Sequence, residues 1–234
     1  MLKLKSKKYL KSTSVQSNKM QISPSENFST LLNLVDTTIP EPTRFKLLAM
    51  FESLKDDRES PNGKTYIGLL NAPASAAAHH DYKGGLVKHY LEMYGFAKQL
   101  NSSLGFAEKD VLLAILAHDI HKASYNYEYT DAEKTKFTYS SHPVYDLLTK
   151  NQRSFLLFAE HGIVLNLYQA NALFSSEGGY NKEAPKMNTP FSKFIYLLDE
   201  LSANVLNRIE QQRLLHYKTS ISIKGNTASN PDNL

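Results

Sequence analysis

The sequence predicts an all-α domain, and three observations carry that prediction. Apolar residues recur every three or four positions in segment after segment, alternation of period two is scarce, and helix-breaking or helix-capping residues stand between the segments. No internal repeat is visible. At 234 residues, the chain has the length for one sizeable core with tails.

Taken in order, residues 1–24 are Lys- and Ser-rich without sustained periodicity and are expected to form a disordered basic tail. Ser25–Phe28 opens a helix with Phe28, Leu31, Leu32 and Val35 on one stripe, which Pro40 and Pro42 end. Thr43 is placed to cap a second helix carrying Phe45, Leu48, Ala49 and Leu54. Lys55–Lys64, with Pro61-Asn62-Gly63, reads as a loop. Leu86, Val87, Tyr90, Met93, Tyr94 and Ala97 mark a helix that also holds His89, and Gly84-Gly85 at its start permits close backbone approach. A helix over about 107–120 follows the turn at Asn101–Gly105.

The tyrosine-rich stretch 123–141 is expected to be an ordered loop over the mouth of a site, or else a plain polar connection. Pro143 starts a helix to Lys150, with His142 at its edge. Arg153–Ala172 reads as one helix with His161 in its middle, and Ser175–Thr189 as a loop. Thr189-Pro190 opens a long helix to about Tyr217, with Phe194, Ile195, Leu198, Leu201 and Val205 inward. The helical domain is thus expected over 25–217, with a flexible polar tail over 218–234.

Composition excludes several classes of function. The chain has no cysteine, so disulfides, zinc–thiolate sites and cysteine nucleophiles are absent. No apolar run approaches the roughly 20 residues of a membrane span, and no apolar signal region follows the basic start. The net charge of +4 conceals an asymmetry. Six lysines precede the first acid, Glu26, which leaves the rest of the chain at about −2. Such a tail could hold nucleic acid through its phosphates, although many basic ends are merely solvated.

The chemistry concentrates where the apolar run Val111–Ala117 ends in His118-Asp119, with Lys122 one turn further on. A buried imidazole and carboxylate must be paired, protonated or bound to a cation. A core histidine bonded to a capping aspartate would satisfy that demand alone. Other segments, however, bring further ligand types: His89, His142, His161 and Asp199. Imidazole with carboxylate suits Mn, Fe, Co, Ni or Zn, whereas carboxylate alone would suit Mg. Four such ligands would hold one divalent ion, and six with a bridging aspartate could hold two.

Two strings make the pattern specific. His79-His-Asp-Tyr-Lys-Gly-Gly-Leu-Val-Lys-His89 resembles the His-His-x-Tyr-x-Gly-Gly-Leu-x-x-His signature of one branch of the HD-domain metal-dependent phosphohydrolases, a branch that includes bacterial 3′→5′ exoribonucleases. Leu113–Lys122 is similar to that branch's Leu-Leu-His-Asp-Ile-Gly-Lys, except that His121 replaces the glycine. The resemblance covers about residues 70–210. It implies an HD helical bundle with His89, His118, Asp119 and Asp199 as core metal ligands, and His142 with His161 as the extra pair of two-ion members. With an ion bound, Asp119 is placed to bridge two ions or to accept the attacking water's proton and Lys122 to take up phosphoryl charge, while His79 and His80 either protonate the leaving group or orient the phosphate, or are structural. Lys83, Arg153 and Tyr125 are candidates for substrate contacts.

The exoribonucleases carry an OB-type RNA-holding module, and the region before residue 70 shows no β-rich segment to match it. The resemblance therefore points to a nucleotide substrate, most closely to phage-type deoxynucleoside 5′-monophosphatases, in the cytoplasm of a bacterium or phage-infected cell. The alternative it leaves is a phosphodiesterase or 3′→5′ exonuclease acting on nucleic acid or cyclic nucleotides.

Overall fold

The computed structural model describes residues 23–59, 63–143, 145–176 and 189–206. The basic stretch 1–22, the Gly178-Gly179 loop and the expected tail after Tyr217 lie outside the described residues. Among the described residues seven α-helices form: α1 (Pro24–Thr38), α2 (Thr43–Leu54), α3 (Gly85–Leu100), α4 (Glu108–Asp119), α5 (Lys150–Glu160), α6 (Leu167–Ser175) and α7 (Pro190–Glu200).

α4 is the central element. Every residue from Val111 to Asp119 is buried, because α1, α3, α5, α6 and α7 all pack against it. A helix apolar on every side is stable only when surrounded in this way. α3 buries the stripe read from the sequence, including Leu86, Val87, Tyr90, Met93 and Ala97. Ser23 caps α1 in a reciprocal box with Glu26, so the helix starts at Pro24, inside the stretch expected to be tail. α2 differs from expectation. Pro42, not Thr43, is its N-cap, and it offers no side-chain bond. Its inward stripe is Leu47, Met50, Phe51 and Leu54, while Phe45 stands exposed beneath the Arg44 guanidinium.

Two further expectations are corrected. Arg153–Ala172 is not one helix. α5 ends at His161, and Gly162 adopts φ +66, a left-handed turn that glycine takes without strain and that reverses the chain into α6. His161 is therefore a helix end rather than a mid-helix residue. Among the described residues after Pro143, a 3₁₀ turn spans Tyr145–Leu147 in place of the expected helix, and α5 begins at Lys150 under a Thr149 capping box.

A small antiparallel sheet joins two stretches that the sequence reads as loops. β1 (Arg58–Glu59), β2 (Thr65–Tyr66), β3 (Tyr127–Tyr129) and β4 (Phe137–Tyr139) pair in that order. Tyr66 faces Glu128 in the register, and Lys64 pairs with the buried Glu128 carboxylate at 2.6 Å. The tyrosine-rich stretch is thus a hairpin, with Tyr127 fully buried and Tyr139 exposed.

At the other end, the Thr189 capping box opens α7, which passes directly into a π-helical turn at Leu201–Leu206. Such wide turns are often found at functional sites. Ser202 is buried there, but Val205 is largely exposed rather than inward.

Candidate metal centre

Three helix segments and one loop converge at the C-terminal end of α4. α3 presents His89, α4 presents His118 and Asp119, and α7 presents Asp199. Ligand atoms of His89, His118 and Asp199 all lie within 4.8 Å of one another. His89 Nε2 is 3.1 Å from Asp199 Oδ1 and 3.9 Å from Asp119 Oδ2, and His118 Nε2 is 3.2 Å from Asp119 Oδ2. A second group sharing His89 brings in His79 and His80 from the loop before α3.

Gly85 makes that loop's approach feasible. A Cβ there would stand 2.0 Å from the His80 carbonyl oxygen, so only glycine lets the His79-His80 turn lie on the start of α3. His80 itself has φ 47, which a non-glycine residue seldom adopts.

Helix order, the His89 and His118-Asp119 spacing, and Asp199 on α7 form one pattern. The family model for the HD domain matches residues 86–204, just over half of the chain. The chain belongs to the HD-domain family. HD domains of this superfamily are metal-dependent phosphohydrolases, and the HD domain here has a donor set to match. A search of curated proteins and a search of solved structures each gave no match.

Hydrogen bonds to the far side of each ring test whether the HD residues fit an ion. His118 Nδ1 bonds the Ile115 carbonyl, which can only accept, so Nδ1 carries the proton. His89 Nδ1 lies 2.9 Å from Ser202 Oγ, and that hydroxyl donates to Glu92 Oε2 at 3.0 Å. Ser202 must then accept from His89, and again Nδ1 carries the proton. In both neutral rings, Nε2 is left as a lone pair. Both Nε2 atoms are buried and make no hydrogen bond. Two bare lone pairs facing two carboxylates repel unless positive charge lies between them, so the residues fit a divalent cation.

Burial depresses His89, with Asp199 working against it. Burial acts on His118 too, yet the Asp119 carboxylate 3.2 Å away outweighs it and raises its affinity for a proton, whose place a cation would take. Asp119 is held far below the carboxylate range despite its burial, by His118 and Lys122, whose ammonium touches Oδ2.

The remaining candidates divide. His79 lines the cleft, and burial together with neighbouring His89 and Lys122 lowers it to about 3. His80 Nε2 meets Glu92 Oε2 at 2.9 Å, and its Nδ1 meets His79 Nδ1 at 3.1 Å.

His142 and His161 are not brought to the cluster. His142 stacks on Tyr125 with ring centres 4.6 Å apart. His161 bonds the Leu157 carbonyl and Ser53 Oγ, seven residues or about 10 Å along α5 from Ser154, which touches the site. The expected contribution of these two histidines to a second ion has no support in this geometry.

Lys83 lies over the Tyr129 ring, Tyr125 is covered by Arg58, and Arg153 pairs with Asp146. None of these three lines the cleft. The cleft wall that the sequence reading missed comes from Lys150 and Asn151 at the start of α5, Ser176, Tyr196 and Glu200, with a volume of about 430 Å³.

Proposed function

We propose that this HD-domain protein is a divalent-metal-dependent phosphomonoesterase acting on nucleoside 5′-monophosphates, deoxynucleotides included. The observation that carries the reading is the pair of bare imidazole nitrogens of His89 and His118 set against Asp119 and Asp199, with a lysine ammonium in the same cleft. His89, His118, Asp119 and Asp199 would hold the ion. When bound, it supplies Lewis acidity and a water acidic enough to attack at neutral pH.

The chain's own groups do the rest. Asp119, kept ionised by His118 and Lys122, is placed to accept the proton of the attacking water. Lys122 offsets the charge that grows on the phosphoryl oxygens as the ester bond breaks. His79 stands on the cleft wall, where it can orient the phosphate. The cleft volume falls in the range that encloses a small ligand such as one nucleotide.

The test is release of inorganic phosphate from a panel of nucleoside monophosphates, with Mn, Fe, Co, Ni, Zn and Mg each supplied in turn. Shortening of a labelled oligonucleotide and opening of cyclic nucleotides are scored in parallel. Phosphate release that Asp119→Asn abolishes supports the reading. Turnover confined to the oligonucleotide or cyclic substrates refutes it.

A further inference from the structure

A smaller lobe of about 120 Å³ adjoins the cleft under the hairpin. It shares His79, His121, Lys122 and Lys150 with the main cavity and is otherwise walled by Asn126, Tyr127, Tyr139 and small residues of the 74–78 loop. No carboxylate lines it. The main cavity has Asp119, Asp199 and Glu200.

Two of its polar groups are buried, and one has no partner: His121 is 1% exposed, and its Nε2 makes no hydrogen bond, while Asn126, 5% exposed, turns its amide to the Tyr127 hydroxyl. Ser154 sets which way the imidazole is protonated. Its Oγ accepts from the His121 backbone N–H at 3.3 Å and lies 3.1 Å from Nδ1. Ser154 is fully buried, and Nδ1 is the acceptor within reach of its hydroxyl proton, so the proton goes there. Nε2 is then an N–H donor aimed at the lobe. The sequence places this histidine where the related pattern has glycine, so the donor is a feature of this chain.

A buried donor without an acceptor costs roughly 1–3 kcal/mol, and one aimed into a small lobe beside two lysines implies a ligand that supplies acceptors and negative charge. The start of α5, at Lys150 and Asn151, adds the positive end of an 11-residue helix. We propose that this lobe is an oxyanion subsite that takes a phosphoryl group separate from the one held at the metal centre. The lobe is too small for a nucleobase with its sugar and large enough for one tetrahedral anion. His121 Nε2–H is its neutral donor, and Lys122 and Lys150 its charge. The inference deepens the nucleotidase reading: two phosphoryl subsites suit a nucleotide carrying two phosphates, or a monophosphate substrate together with free phosphate.

The test uses the full chain with chelator present and inorganic phosphate as probe, so it needs no turnover. Calorimetry should find one equivalent bound. His121→Ala should weaken that binding about ten- to a hundredfold, as expected for losing one hydrogen bond to a charged ligand, while His121→Gln, which keeps a donor near the same place, should restore most of it. Lys150→Met, at an exposed position that cannot affect folding through the core, should weaken binding severalfold with a shallower salt dependence. Nitrogen-15 spectra should place the His121 proton on Nε2 and show that resonance moving on phosphate addition.

No phosphate binding in chelator overturns the subsite, as does binding that both His121→Ala and Lys150→Met leave unchanged. Neither result touches the metal centre. Loss of turnover with phosphate binding intact would instead count against the nucleotidase reading. Comparing KM for a nucleoside 3′,5′-bisphosphate and a 5′-monophosphate separates the two phosphate sources: a tenfold lower value for the bisphosphate identifies the substrate's own second phosphate, and equal values with inhibition by phosphate identify free phosphate.

Discussion

Glu92→Gln isolates the group that sets the protonation of the metal-facing His89 ring. One oxygen of Glu92 accepts from His80 Nε2 at 2.9 Å and from Ser202 Oγ at 3.0 Å, and the other faces Lys88 Nζ at 3.3 Å. Glutamine has the same shape but lacks the charge, and its amide has a single acceptor oxygen. The directly lost interaction is charge-assisted and costs about 1.5–3 kcal/mol of stability. A second loss follows at the metal centre. With no carboxylate to receive it, the Ser202 hydroxyl proton is free to turn toward His89 Nδ1, and the ring proton then moves to Nε2, the nitrogen that faces Asp199. Weakening a partner that orients a ligand in this way typically costs 10–100-fold in metal affinity. Calorimetric titration of chelator-stripped protein with Mn or Zn should therefore show the affinity falling by about that factor, with stoichiometry preserved. The pH dependence should change in a defined direction. Burial raises Glu92, but the His80 hydrogen bond and charge, Lys88 and Ser202 together hold it below its ordinary 4.5. Its contribution to stability is full above 4.5 and is lost as pH falls through the lowered value. Glu92→Gln should remove that part of the acid transition. Metal affinity within twofold of the parent would refute the role given to Glu92, even if the melting temperature dropped.

Three further outcomes follow from the geometry. Gly85→Ala forces a Cβ into the His80 carbonyl, so stability should fall by about 3 kcal/mol or more, and the His79 ring signal should shift in imidazole spectra; unchanged melting would show the turn can move aside. His142→Ala and His161→Ala should each leave metal stoichiometry by mass spectrometry unchanged, and loss of an equivalent in either would restore the two-ion ligand set. Burial holds His79 and His121 near 3, so both stay neutral in the fold at pH values where the unfolded chain takes up protons. Stability of the metal-free protein should therefore decline as pH falls from about 6.5 towards 3, by up to about 1.4 kcal/mol per unit for each ring; denaturant titrations of the two His→Gln variants should show the slope reduced one proton at a time.

The helices that build the site were readable from the sequence because α3 and α4 bury stripes or whole runs that periodicity detects. His89, His118-Asp119 and Asp199 came from the order of ligand types along those helices. The sheet was not readable: strands of two or three residues are too short to show alternation, and their pairing is decided by contacts such as Lys64 with Glu128, 64 residues apart. His161 was misplaced because the reading ran a helix through Gly162, although a glycine after the last periodic residue is itself an end signal. Glu92 and Ser202 carry no local pattern at all. Their role exists only because the π turn after α7 is brought against α3, 110 residues away. His121 was visible as a departure from the related motif, but its role needed the Ser154 hydroxyl from α5.

The Ser202 contacts also bear on the order of events during synthesis. Translation proceeds from the N-terminus, and a domain's early helices emerge well before its last one. Once α4 has emerged, α3 and α4 can pack, with His89, His118 and Asp119 already side by side. The nascent chain then still lacks both Asp199, which completes the charge around the ion, and Ser202, which fixes the His89 proton 113 residues upstream. A cation caught at that stage would meet an incomplete and wrongly protonated set of ligands, held weakly enough to exchange. Tight binding of a cation by the full ligand set would therefore have to wait for the arrival of α7.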